Sequence, residues 1–379
     1  MIFPVYYANF IVGNDGGLGD LWWGRVVSLS MAVVAISSPF LGGIADYKGS
    51  RKRFLFFYTT ISVTAIGCLS FLKQGMVIEG FILATLANIG MEGGIVFYNS
   101  FLPRIVPREY QGRVSGWGFG VGYAGSIISL LIAVPLVRDN LFGATWLMVS
   151  IFFALCSAPA FLFLPRDTGS EISITEAGIK GFKFTMRTLK DILKRSEVKK
   201  FLIAYLIYED GVNTVIVFSS VYAATTLGFM PDELIILYIV VQISALLGAF
   251  IMARPIDYMG PKRVVILSLL MWILVAIIAF FVNTKMQYQL LASFAGLGLG
   301  TIQAATRAMF TQFIPEKGEA EYFGIYSLVG KSSAIMGPLL FGWLSSALRS
   351  QRPAILSIVI FFLTGLLIIR TVKGGGPNI

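Results

Sequence analysis

One loop is written twice in this chain, and that repetition constrains the fold more than any other feature. Asp46-Tyr47-Lys48-Gly49-Ser50-Arg51-Lys52-Arg53 and Asp257-Tyr258-Met259-Gly260-Pro261-Lys262-Arg263 share an Asp-Tyr-x-Gly core followed by basic residues. Each joins two long apolar stretches and holds the same place in its half of the sequence. Pro107 to Gly116 and Pro315 to Gly324 also repeat, and the same offset matches Asn99 with Arg307 and Tyr123 with Lys331. Internal repeats of this kind describe a bundle of apolar helices that has been doubled.

The solvent for those helices has to be a bilayer. Over 379 residues the chain is 56% hydrophobic and only 13% charged, more apolar surface than a water-soluble domain could hide. The 40 glycines suit helices that pack closely in lipid. The apolar N-terminus has neither a basic leader nor a small-residue cleavage site, so no cleavable signal peptide is expected. The net charge of +10 does not point to nucleic acid, because its distribution is asymmetric. Of 30 Lys and Arg residues, six (Arg25, Lys73, Arg138, Lys285, Arg349, Arg352) fall at one face and two, Arg307 and Lys331, fall within helices. The remaining 22 mark the opposite, cytoplasmic face by the positive-inside rule. Cys68 and Cys156 fall in different helical hairpins and read as small apolar packing residues. No His exists, so no metal centre is expected, no cofactor is implied, and any proton coupling must use carboxylates.

Spanning helices are predicted at 22–45, 54–72, 77–102, 114–137 and 144–164, after a partial helix at 2–13. A second set is predicted at 200–225, 233–253, 264–282, 287–311, 322–345 and 353–370. The expected organisation is a six-helix bundle over 1–165, a cytoplasmic linker over 166–199 and a second six-helix bundle over 200–379. Within the linker, Ile179, Phe182, Met186, Leu189 and Leu193 recur at helical spacing, interleaved with Lys180, Lys183, Arg187, Lys190 and Lys194. That pattern predicts an amphipathic helix, either lying on the anionic inner leaflet or solvated as a plain linker. Trp22, Trp23 and Trp343, near helix ends, read as interfacial belt residues.

Six helices plus six around a cytoplasmic linker resembles the major facilitator superfamily, and Gly42 through Arg53 is similar to that superfamily's G-x-x-x-D-x-x-G-x-R-[KR]-[KR] motif. Phe201 through Thr214 is similar to the seventh helix of the vacuolar amino-acid effluxer, or autophagy-related, branch. Ser38 through Asp46 and Gly330 through Pro338 resemble that branch's second and eleventh helices, and Tyr98 through Pro103 the end of its fourth. The resemblance covers essentially the whole chain. It implies an all-α integral membrane protein of the twelve-helix major facilitator fold, built as two pseudo-symmetric bundles. It also implies a multi-pass, monomeric transporter rather than an enzyme, in the inner membrane if the source is prokaryotic. Amino-acid efflux is implied by the eukaryotic members only.

In the superfamily this loop clasps the two halves on the cytoplasmic side in one conformation and releases in the other, so the resemblance implies a conformational gate made by Asp46, Gly49 and Arg51 and by Asp257, Gly260 and Arg263. A carboxylate ending a helix is disfavoured by the macrodipole, so Asp46 needs basic neighbours and the N-terminus of another helix. Gly49 permits the tight turn. A plain positive-inside anchor is the simpler reading, but duplication of Asp-Tyr-x-Gly weighs against it. The first helix departs from the pattern. Aligning Val5-Tyr6 with Val221-Tyr222 leaves twelve residues, about 18 Å of a roughly 30 Å core, so the helix is expected to be truncated. A start called too late is the favoured explanation, with an inactive copy as the alternative.

Charges in the apolar core cost about 2.5–3.5 kcal/mol each on the insertion scale and need partners or a wet cavity. Glu92, Glu209, Asp210 and Lys331 all fall near the expected midplane. Asn88, Glu92 and Asn99 share one face of the fourth helix; inter-helix bonding inside a bundle is the bland reading, a cavity lining the sharper one. On the seventh helix Glu209 pairs in register with Asn213, and Asp210 with Thr214. Lys331 either forms a structural salt bridge with Glu92, Glu209 or Asp210 or receives an anionic group, and both hold if the pair opens. Arg307, two turns from the cytoplasmic end, either snorkels or closes a gate; Gln303 and Gln242 are weaker candidates. The expected activity is secondary transport of a small polar solute by alternating access, with an amino acid as substrate and protons as coupling ion. A drug or lipid exporter, or an inactive scaffold, is the alternative. No phosphate-binding G-x-x-x-x-G-K-[ST] loop occurs, which leaves no ATP-driven reading for this chain.

Overall fold

Short polar turns cut the apolar stretches into helices close to the expected places. The computed structural model describes residues 2–13, 18–167, 169, 174–315, 318–333, 336–348 and 351–373. Met1, Arg349, Ala334 and Ile335, which figure in the sequence argument, lie outside them, as does the side chain of Leu193. In order, the elements are α1 (Ile2–Tyr6, continuing as a π-helical turn to Val12), α2 (Leu18–Lys48), α3 (Arg51–Cys68), α4 (Val77–Ile105), α5 (Gln111–Arg138) and α6 (Phe142–Phe163). They continue as α7 (Ile174–Lys194), α8 (Ser196–Leu227), α9 (Pro231–Met259), α10 (Pro261–Phe281), α11 (Lys285–Thr311), α12 (Glu319–Ser332), α13 (Met336–Ala347) and α14 (Gln351–Thr371). The turns use the expected chemistry. Gly49 and Gly260 take φ values of +62° and +85° where α2 and α9 end. Pro231 and Pro261 open their helices, where a missing N–H costs nothing.

Among the described residues, nine helices (α2 to α6, α8 to α10 and α14) are individually long and apolar enough to cross a membrane. α11 is long but polar for a span, and from Gly300 to Thr311 every residue except Gln303 is buried. The eleventh span, expected as one helix over 322–345, instead forms two helices, α12 and α13. Gly330, Ser332, Ser333 and Gly337 explain the break: glycine is a poor helix former, and serine hydroxyls compete for backbone groups. Pro338 falls in the first turn of α13, where proline is tolerated.

The helices gather into two compact units that do not follow chain order. Unit 1 comprises Met1–Phe101, Ile128–Arg187 and Glu316–Lys331; unit 2 comprises Leu102–Ile127, Thr188–Pro315 and Ser332–Ile379. In unit 1, α4 lies directly on α3, because a Cβ at Gly90 would stand 2.6 Å from the Ser62 nitrogen. Its weakly basic end is closed by an apolar core that includes Tyr6, Tyr7, Leu69, Leu72 and Trp146, with Phe3 edge-on to Trp146 at 5.1 Å. Trp22 and Trp23 pack partly against this core, while Trp343 in unit 2 is exposed, as a belt residue should be.

In unit 2, α9 and α11 make the closest approach. Cβ atoms at Gly248 and Gly300 would stand 2.2 Å from the Leu297 carbonyl oxygen and 1.9 Å from that of Ala245. Small residues therefore let the two backbones touch, the means by which helices associate in lipid. The first part of α5 belongs to this unit and lies on α9 through Gly112, Gly116 and Gly120. Gly300→Val would force these backbones apart, and overpacking costs about 1–3 kcal/mol. The unfolding midpoint of the purified protein is expected to fall by several degrees; an unchanged midpoint would contradict the packing described.

Candidate functional site

The repeated loop draws partners both from within itself and from helices elsewhere in the chain. In unit 1, Asp46 sits in the last turn of α2, at the negative end of the helix dipole. Arg51 donates to it from Nε at 2.5 Å and reaches with Nη2 to Glu319. The Asp46 carboxylate also accepts the backbone N–H groups of Ala320 (3.1 Å) and Glu321 (2.8 Å), in the first turn of α12. A positive helix end and a guanidinium thus hold one buried carboxylate. The approach needs glycine: a Cβ at Gly42 would stand 2.4 Å from the Ala320 carbonyl oxygen, and one at Gly324 2.5 Å from that of Ser38. The N-terminus of α3 is capped in turn by Asp167, which accepts from the N–H groups of Lys52 (2.9 Å) and Arg53 (3.1 Å).

The second copy repeats the arrangement inside unit 2. Asp257, in the last turn of α9, accepts the N–H of Arg113 at 3.0 Å, in the first turn of α5. The Arg113 side chain stands 3.5 Å away and supplies the cation. Ala320 and Glu321 on one side correspond to Gly112 and Arg113 on the other at the repeat offset. Arg263, the expected partner, is exposed, and Lys262 binds the carbonyl oxygens of Arg370 (2.8 Å) and Val372 (2.5 Å). Each loop aspartate therefore caps a helix contributed by the other sequence half.

Deeper in unit 1, Lys331 pairs with Glu92 through Oε2. Glu92 stands thirteen residues before the end of α4, about 20 Å by helical rise, and Lys331 twelve residues after Glu319, about 18 Å. Their depths match. Lys331 also occupies the last turn of α12, where the dipole favours a cation. One turn away Asn88 donates to the Ser30 hydroxyl at 3.1 Å, and Asn99 is buried farther along α4.

The other expected site residues lie in unit 2. Asp210 is buried and accepts the N–H of Gly337 at 2.9 Å on both carboxylate oxygens, so it caps α13 at the helix break. Asn213 donates to Ser333 at 3.1 Å, on the other side of the same break. Adjacent Glu209 is half-buried and lies within electrostatic reach of Tyr123. Tyr123 donates to Gln303 at 3.0 Å, and Gln242 donates to Tyr238 at 3.1 Å. Arg307 does not snorkel. It is buried, donates to the Ser115 hydroxyl (2.8 Å) and carbonyl (2.7 Å), and lies 4.3 Å from the centre of the Phe119 ring. Sequence reasoning did not name Glu319, Arg113, Ser115 or Asp167. The repeat of Pro107–Gly116 and Pro315–Gly324 was the signal for the first two, since it marks the helices that the loops cap.

A family profile described as "Vacuole effluxer Atg22 like" matches residues 25–374. An uncharacterized MFS-type transporter, YxiO, of Bacillus subtilis is 28% identical over 98% of this chain and 89% of its own length. Autophagy-related protein 22 of Kluyveromyces lactis is 28% identical over 96% of this chain and 81% of its own. In fold, the chain is similar to the human organic anion transporter MFSD10 (TM-score 0.72, 11% identity, 97% of this chain and 88% of that one). It is also similar to the proton:xylose symporter XylE (TM-score 0.71, 15% identity, 94% and 87%). These matches bear out the expected all-α, multi-pass major facilitator fold, the effluxer branch and the absence of an enzymatic role.

Replacing Arg51 with Gln would strand two buried carboxylates, and breaking a buried pair costs about 3–5 kcal/mol. A cysteine placed at Ala320, with Cys68 and Cys156 changed to Ser, is expected to react with maleimide about tenfold faster or more. Arg53→Gln, whose side chain is 75% exposed, should leave the rate unchanged. Equal rates in all three proteins would contradict the clasp that Asp46 and Arg51 make on the N-terminus of α12.

Proposed function

This chain belongs to the Atg22-like family of vacuole effluxers, a transporter family, and we propose that it carries a small zwitterionic solute of the amino-acid class through the Glu92–Lys331 pair, coupled to protons. The observation that carries this reading is the state of that pair. Its side chains keep 12% and 25% of their surface, against 5% to 7% for Asp46, Arg51 and Glu319. A bridge with residual access can exchange partners, whereas a dry one is fixed. A zwitterion offers a replacement for each member: its ammonium for Lys331 at Glu92, its carboxylate for Glu92 at Lys331. Neither charge is then left alone at any stage. An uncharged apolar drug offers neither group.

One helix connects this pair to the clasp. α12 is 14 residues long, about 20 Å. Its N-terminus is held by Asp46 and its last turn carries Lys331. In this reading, solute at Lys331 shifts α12 lengthwise and loosens the hydrogen bonds at its other end, and loss of those bonds opens the basic, cytoplasmic side. Asp210 is the second carboxylate suited to coupling, because its bonds to the α13 amides require the ionised or acceptor form.

Lys331→Met is expected to abolish solute uptake or counterflow in proteoliposomes, with the protein still folded and inserted. Unchanged kinetics would remove Lys331 from the site. Asp210→Asn keeps an acceptor for α13 but loses the titratable group. It is expected to retain counterflow and to lose accumulation driven by a pH gradient. Intact pH-driven accumulation would exclude Asp210 as the coupling residue.

A further inference from the structure

α7 presents three lengthwise strips, which among the described residues differ in how far protein covers them. Gly181, Thr185, Thr188 and Ile192 recur at i, i+4, i+7 and i+11 and are buried. The first two lie along α2. A Cβ at Gly181 would stand 2.9 Å from the Ile44 nitrogen, and the Thr185 hydroxyl donates to the Pro39 carbonyl at 3.1 Å. About a quarter-turn around the helix runs the apolar strip Ile179, Phe182, Met186 and Leu189. Ile179 and Phe182 are 57% and 52% exposed, although Phe182 also stacks on Phe40 at 5.1 Å. Beyond that strip, on the side away from α2, come Lys183, Lys190 and Lys194, all exposed.

The cations differ in what they are doing. Lys180 is engaged: it pairs with Glu176 at 2.5 Å and lies 5.5 Å over the Tyr47 ring. Those partners hold its ammonium above the ordinary lysine range, with the Glu176 hydrogen bond foremost. Among the described residues Lys183, Lys190 and Lys194 have no ion-pair partner. The order around α7 is therefore protein seat, open apolar strip, unpaired lysines. A helix lying at the headgroup level beside a bundle meets the same order: bundle, acyl chains, phosphates. α2 makes this placement possible, because its 31 residues span about 46 Å and outrun a core of roughly 30 Å. α7 lies along its basic end.

We propose that α7 is a seat for anionic phospholipids of the cytoplasmic leaflet, with Lys183, Lys190 and Lys194 on the headgroups and Ile179 and Phe182 at the acyl boundary. The seat adjoins the clasp, since Gly43 of α2 meets Thr185 of α7 while neighbouring Gly42 meets Ala320 of α12. Charge complementarity selects the occupant: three unpaired ammonium groups beside an open apolar strip match a lipid phosphate better than an acidic protein surface, which would leave the strip uncovered.

The test uses the 379-residue chain in nanodiscs, with Cys68 and Cys156 changed to Ser and Ile179→Cys labelled with bimane. Brominated phosphatidylglycerol is expected to quench the label at a lower mole fraction than brominated phosphatidylcholine. Changing Lys183, Lys190 and Lys194 together to Gln should erase that preference, by about fivefold per lysine removed, with gel-filtration behaviour unchanged. Equal quenching by both lipids would overturn the proposal, leaving an apolar contact without headgroup selection. Absence of quenching would do so as well, marking a solvated or protein-covered helix. Loss of the preference on adding millimolar inorganic phosphate or glycerol phosphate would reassign the lysines to a soluble anion. Should the triple variant not fold, Lys190→Gln alone must still reduce the preference.

Discussion

A carboxylate at the C-terminal end of a membrane helix faces the wrong end of the dipole and has little water to screen it. Everything else described for this chain follows from how that problem is solved at Asp46. The answer is the N-terminus of a helix from the other half of the sequence, reinforced by one buried arginine. Asp257 is answered in the same way by the first turn of α5. The two solutions differ in tightness. Asp46 has a guanidinium in direct contact and a second carboxylate behind it, whereas the Arg113 side chain stands 3.5 Å from Asp257. Opening is thus expected to cost more at the first loop than at the second.

The interior uses the same logic with different stakes. A salt bridge sealed from water contributes little net stability, because desolvation offsets the Coulombic gain, yet stranding one member is expensive. Glu92 and Lys331 are less sealed than the clasp, and α12 carries both interactions on one short rod. In the proposed mechanism, that rod links a charge exchange at one depth to a release at another. The break between α12 and α13 separates this rod from the half-helix capped by Asp210.

Much of this could be read in the sequence. Apolar runs and glycine turns gave the helices, and the duplicated Asp-Tyr-x-Gly gave the paired loops. Dipole chemistry gave Asp46 a need for basic neighbours and another helix's N-terminus, and Arg51, Ala320 and Glu321 supply them. Lys331 pairs with one of its three expected partners. Other features were not legible. Arg307 depends on burial by Ser115 and Phe119, which are far away in the chain, and depth counting could not separate snorkelling from contact. The cation at Asp257 comes from α5 rather than from Arg263, because it is set by where the capped helix begins. The break in the eleventh span rests on a few Gly and Ser residues that the surrounding hydropathy outweighed.

The most direct measurement is solute counterflow into proteoliposomes, read by mass spectrometry over a mixture of amino acids and related zwitterions. It compares the native chain with the double variant Glu92→Gln/Lys331→Met. Both charges leave together in that variant, so no buried ion is stranded and folding is spared. The account predicts that the native chain exchanges at least one zwitterion and that the double variant exchanges none. Equal exchange by the two proteins would contradict it, and would place the solute somewhere other than this pair.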